Sequence, residues 1–111
     1  MKRVFFESLL SDKNPFYVRV GIVWMKRFIL KNNLENTINL LKRVENQNYF
    51  VKMALAWTYQ EACIYDFDFM YEFIAHLQDD FIRLKTISKC CDSCRLQHTQ
   101  KDKLKLLRKC F

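Results

Sequence analysis

The chain has one glycine, Gly21, and one proline, Pro15, in 111 residues. β-Sheet domains turn often, and tight turns draw on Gly and Pro for backbone angles other residues resist. A chain this poor in both is confined to long helices joined by short polar loops. The loops are legible as Ser11-Asp12-Lys13-Asn14, Asn32-Asn33, Glu45-Asn46-Gln47-Asn48, Gln78-Asp79-Asp80 and the stretch around Arg95 to His98.

Between these breaks the apolar residues recur at helical spacing. The pattern predicts helices over about residues 2–10, 15–31, 34–44, 49–65, 67–77, 81–94 and 99–109. Asn14 is a candidate N-cap with Pro15 in the first turn, and Asp66 is a second. The acids Asp68, Asp79 and Asp80 read as further capping residues, and Thr99 with Asp102 reads as a capping box. The helix over 49–65 carries only Lys52 and Glu61 as charges, so it is expected in the middle of a packed array. Trp24 and Trp57, both in apolar runs, are expected in the core.

The breaks group the helices into units over 15–45, 48–77 and 80–109. A period near thirty residues with two helices per unit is the mark of a helical solenoid. The expected fold is all-α, a HEAT-like helical-repeat solenoid of about three antiparallel helix pairs. It forms one domain over 1–111, with residues 1–14 an ill-defined N-terminal segment.

Half the residues are apolar and ten are Phe, which excludes an intrinsically disordered chain. Apolar stretches meet Lys or Arg well before membrane-spanning length, as Ile22 to Met25 runs into Lys26 and Arg27. The N-terminus lacks a signal-peptide core, since Glu7 and Asp12 interrupt it. A cytoplasmic protein with no membrane partner is expected. Five cysteines, an odd number, fit reduced thiols better than a disulfide framework.

Charge is unevenly spread over the net +7. Residues 1–47 hold nine Lys/Arg against four acids, residues 48–82 one against six, and residues 83–111 nine against two. Basic segments of this kind attract polyanions, chiefly nucleic acid or an anionic membrane surface, or else form solvated helix faces. The catalytic and ligand motifs are thin. Cys91-x-x-Cys94 with His98 lacks a second ligand pair, and both cysteines fall on an apolar stripe, so small buried hydrophobes are expected and no metal. His76 reads as a C-terminal helix residue favoured by the helix dipole. With one glycine a Gly-rich phosphate cradle is nearly excluded, and no cofactor is expected.

Two blocks resemble a known family. Asn48-Tyr49-Phe50-Val51-Lys52-Met53-Ala54-Leu55-Ala56-Trp57 is similar to the Tyr-Tyr-Val-Lys-Met-Ala-x-Ala-Trp helix of the DNA alkylation repair enzymes. Lys85-Thr86-Ile87-Ser88-Lys89, followed by Asp92-Ser93-Cys94-Arg95-Leu96, resembles that family's later helix and turn, and Lys103 to Lys109 its basic end. Phe16-Tyr17-Val18-Arg19-Val20-Gly21-Ile22-Val23 resembles an upstream helix, so the likeness covers about residues 11–109. It implies a HEAT-like superhelix with a basic concave groove for duplex DNA, and excision of cationic N-alkylated purines without flipping the base. Arg19, Lys26, Lys52, Arg83, Lys85, Lys89 and Arg95 are then the expected DNA-binding residues, with Trp57 as an aromatic contact. Asp12 is the nearest candidate for the catalytic acid. The family's Trp four residues before that acid is Ser8 here, and its Arg three residues after the later Trp is Gln60. The family's N-terminal helices have no counterpart, so self-association or missing N-terminal repeats are expected. The alternative reading is a non-catalytic HEAT-like protein-interaction scaffold.

Overall fold

A computed structural model describes residues 2–109, with side chains for 3–108. It contains seven helices and, among the described residues, no strand. They are α1 (Lys2–Leu9), α2 (Pro15–Phe28), α3 (Leu34–Leu41), α4 (Tyr49–Tyr65), α5 (Phe67–Ala75), α6 (Asp80–Asp92) and α7 (His98–Lys109).

The helix starts follow local chemistry. Asn14 Oδ1 accepts the Phe16 N–H at 2.9 Å, and Pro15 takes the first turn of α2, where a missing N–H costs nothing. Asn48 does the same for α4 through the Phe50 N–H at 2.9 Å. Asp66 serves two helices. Its N–H closes α4 on the Ala62 carbonyl at 3.0 Å, and its carboxylate accepts the Phe69 N–H of α5 at 3.2 Å. One residue therefore makes the whole α4–α5 joint. Asp79 caps α6 through the Ile82 N–H at 2.9 Å. Asp80 lies inside that helix and pairs with Arg83 instead. The cap expected at Thr99 and Asp102 is displaced: the Gln97 N–H donates to Gln100 Oε1 at 3.0 Å, and α7 starts at His98, one residue early.

Tertiary packing centres on α4. It lies between α2 and α6 and also touches α3 and α5, while α1 covers part of α2 and α7 packs on α6. The core is built from Ile22 and Met25 of α2, Leu55 of α4, Met70 and Ile74 of α5, and Ile87 of α6. α4 packs on α5, and α6 on α7, so each of the second and third expected units has its two helices in contact. The first expected unit departs from the scheme, because the principal neighbour of α3 is α4 and not α2. Gly21 sets how near α1 can come. A Cβ there would lie 2.9 Å from the Phe6 carbonyl oxygen and 3.1 Å from Leu10 Cδ2. Only a residue without a side chain lets the two backbones approach so closely.

The cysteines differ from expectation. α6 ends at Asp92, so Cys94 falls beyond it and is exposed, and Cys91 is half-buried. The buried pair is Cys63 of α4 with Cys90 of α6, their sulfurs 3.7 Å apart. The hydrogen bond shared with Cys90, together with burial, pushes the Cys63 thiol well above the ordinary range. That pair behaves as core. No described helix is long and apolar enough to cross a membrane.

Candidate nucleic-acid interface

The α2, α4 and α6 helices lie side by side and share one open face. α2 contributes Arg19 and Lys26, seven residues and two turns apart, hence on one side of the helix. α6 contributes Lys89, and α4 contributes Trp57. These residues, with Val23 and Phe50, line a cleft of about 450 Å³. The Lys26 ammonium lies 4.3 Å from the centroid of the Trp57 ring and the Lys89 ammonium 5.5 Å. Cations over an indole face are drawn by its quadrupole, which favours both lysines at the cleft. Among the described residues none of Arg19, Lys26 and Lys89 has an ion-pair partner. The cleft thus gathers positive charge without neutralising it.

Trp57 corrects the expectation of burial: it is 53% exposed, although the residues on either side of it, Ala56 and Thr58, are buried. The cue lay in α4 itself. Phe50, Met53, Trp57 and Glu61 recur every three or four residues, and a stripe that ends on a carboxylate faces water. The other tryptophan, Trp24, is half-buried and stacked on Phe6, their rings 4.6 Å apart and 6° from parallel.

The remaining expected cations divide. Lys85, one turn before Lys89 on α6, has its ammonium 5.8 Å from the centroid of the Phe81 ring and does not line the cleft. Lys52 is half-buried and paired with Asp79 at 2.8 Å. Burial alone would raise the Asp79 carboxyl, but the Lys52 hydrogen bond, the Ile82 and Phe81 N–H groups and the Lys52 charge together hold it below the ordinary carboxylate range. Arg95, on the loop before α7, pairs with Glu61 at 3.2 Å. Arg83 is only 4% exposed. Its guanidinium donates to the Leu77 carbonyl at 3.0 Å and pairs with Asp80 at 2.8 Å. It pins the loop before α6, and burial removes it from any surface a phosphate could reach. Arg83 therefore does not join the interface expected for it.

Asp12 lies elsewhere. It accepts the Asn14 N–H at 2.8 Å and lines a shallow depression with Phe5, Leu9, Phe16, Tyr17 and Val20. Phe16 and Val20 also line the groove that leads along α2 past Arg19, which in turn borders the Trp57 cleft. The surfaces are continuous, but no carboxylate lines the Trp57 cleft itself. Gln60 is buried and also outside the cleft. No group of three or more His, Cys, Asp or Glu among the described residues could hold a metal ion. Compared with protein-family models, with curated proteins and with solved structures, the chain matches none.

Proposed function

We propose that this chain is a HEAT-like helical-repeat domain, related to the DNA alkylation repair glycosylases, that binds the phosphate backbone of duplex DNA through its α2–α4–α6 face. The observation that carries the reading is the convergence of unpaired Arg19, Lys26 and Lys89, from two different helices, around the exposed ring of Trp57. Three cations without carboxylates repel one another, and a phosphate placed among them relieves that repulsion while releasing condensed counterions. The long dimension of the molecule, 40 Å, is enough to follow a duplex for about one turn, roughly 34 Å. Trp57 supplies an apolar, polarisable surface for a sugar or base edge. The absence of a carboxylate from the lining of this cleft supports binding over excision of an alkylated purine.

Fluorescence anisotropy with a labelled duplex tests the reading. Affinity falls steeply with salt, with a log–log slope of roughly −3 to −4 for contacts by Arg19, Lys26, Lys85 and Lys89. It is insensitive to base sequence, since phosphate contacts carry no sequence information. Absence of binding at low salt overturns it. The scaffold reading then takes its place, favoured by the solvent-exposed Phe5, Phe16 and Phe28 along α1 and α2. Exposed aromatics grouped in this way mark protein contacts.

A further inference from the structure

Two residues beyond Trp57, α4 presents Tyr59 to the opposite side of the molecule, because a step of two turns the helix by about 200°. There α3 and α5 both lean on α4 and leave a gap between them. The gap is a cleft of about 630 Å³. Its floor is Leu55 and Tyr59, and its walls are Leu41 of α3 with Phe69 and Phe73 of α5. The volume falls in the range of about 300–1,000 Å³ that small-molecule sites occupy.

Tyr59 is the unusual member. It is 2% exposed, its ring meets Phe73 edge to face at 4.9 Å, and its hydroxyl makes no hydrogen bond with any described residue. The hydroxyl is not sealed away: it keeps contact with the open space of the cleft, where it is left to solvent until an acceptor takes that place. Burial also pushes this phenol above its ordinary range, so it stays a neutral donor. The mouth carries charge of both signs. Lys42 and Glu72 are one of each, Asp79 is already committed to Lys52, and the His76 Nδ1 is held on the Glu72 carbonyl at 2.8 Å. Nothing there selects an ion.

We propose that the cleft between α3 and α5 is a binding site for a neutral, flat, mostly apolar small molecule whose hydrogen-bond acceptor meets the Tyr59 hydroxyl. The apolar walls desolvate the ligand's rings, and the phenol replaces the water its acceptor gives up. The site is independent of the DNA-binding reading, since it lies on the other side of α4.

The probe is 6-propionyl-2-dimethylaminonaphthalene, two fused rings with one ketone oxygen, whose emission reports both apolar surroundings and hydrogen bonding to the ketone. Titration of the full chain gives one saturable site with blue-shifted emission. Tyr59→Phe keeps the helical circular dichroism and weakens binding about three- to tenfold, the worth of one hydrogen bond. Val44→Trp, at the half-buried rim of the cleft, abolishes binding by filling it. Trp57→Ala leaves the titration unchanged. No saturable binding by the wild type, equal affinity in Tyr59→Phe, binding that survives Val44→Trp, or binding lost in Trp57→Ala each overturns the proposal. If Tyr59→Phe does not fold, the hydroxyl is structural and the site loses its donor, and that also overturns it.

Discussion

Trp24 and Trp57 occupy equivalent places, each in the interior of an apolar helix on the same side of the molecule, yet they have different surroundings. Trp24 has α1 folded over it, with Phe6 stacked on its ring and Phe28 beside it at 5.7 Å. Trp57 has α2 and α6 on either side but nothing above it, and the neighbouring helices offer lysines instead of aromatic rings. The helix that carries a tryptophan does not decide its burial. What decides it is whether another element has an apolar surface to lay across it, and α4 lacks one on this side.

The sharpest way to break this comparison is to truncate both rings. Trp24→Ala loses a packed aromatic cluster and should cost about 2–3 kcal/mol, somewhat under the range for a fully buried ring. Chemical denaturation measures it, and a cost equal to that of Trp57→Ala would erase the distinction. Gly21→Ala attacks the cover over Trp24. The new methyl meets backbone at the Phe6 carbonyl, so α1 must move, and the net loss should be about 1–2 kcal/mol after the gain in helix propensity. Quenching by acrylamide should show Trp24 more accessible in this variant, and an unchanged quenching constant would contradict the close approach.

Lys89→Glu places a carboxylate at the Trp57 ring without touching Trp24. Duplex affinity should drop on the order of tenfold at low salt, for all base sequences alike. Equal binding by the variant would show that the cations over Trp57 are only solvated surface. Trp57→Ala itself should lower stability by less than about 1 kcal/mol, as substitutions at exposed positions do, while still weakening DNA binding. The smallest effect belongs to Lys52, which has what Lys26 lacks, a carboxylate partner. Asp79 is held below its ordinary value in the folded chain, so it adds stability above the unfolded carboxyl range, about 4, and that contribution is lost as pH falls through the folded value. Asp79→Asn, which can keep the α6 cap, should therefore differ from wild type at pH 6 and converge with it in acid. A difference that persists at low pH would assign the effect to capping and not to Lys52.

The helices were legible because their breaks are chemical. Asn14 with Pro15, Asn48, Asp66 and Asp79 each declare a helix start through a side chain that accepts a backbone N–H. Pairing was less so. α3 was expected to fold onto α2, but its apolar face, Ile38 and Leu41, finds its main neighbour in α4, and no spacing within the chain encodes that choice. The grouping of cations was legible only in part. Arg19, Lys26 and Lys89 line one cleft, whereas Arg83 looked like them in the sequence but is buried, with the Leu77 carbonyl and Asp80 reaching it in three dimensions. The Tyr59 cleft left no trace in the sequence at all. An unfilled space between two helices is a property of their separation, not of any residue in them.

The two-residue offset between Trp57 and Tyr59 makes α4 a party wall, and a wall of that kind constrains how the chain can vary. One residue inserted upstream within α4 would rotate everything after it by about 100° relative to what came before. Trp57 would leave the lysines and Tyr59 would leave the cleft in the same event. The loop over 31–33 lines neither cleft and can lengthen without disturbing either surface, but the length of α4 is tied to both at once. Drift at one face is legible at the other, and homologous chains in which one surface has decayed should still keep the phase of this helix.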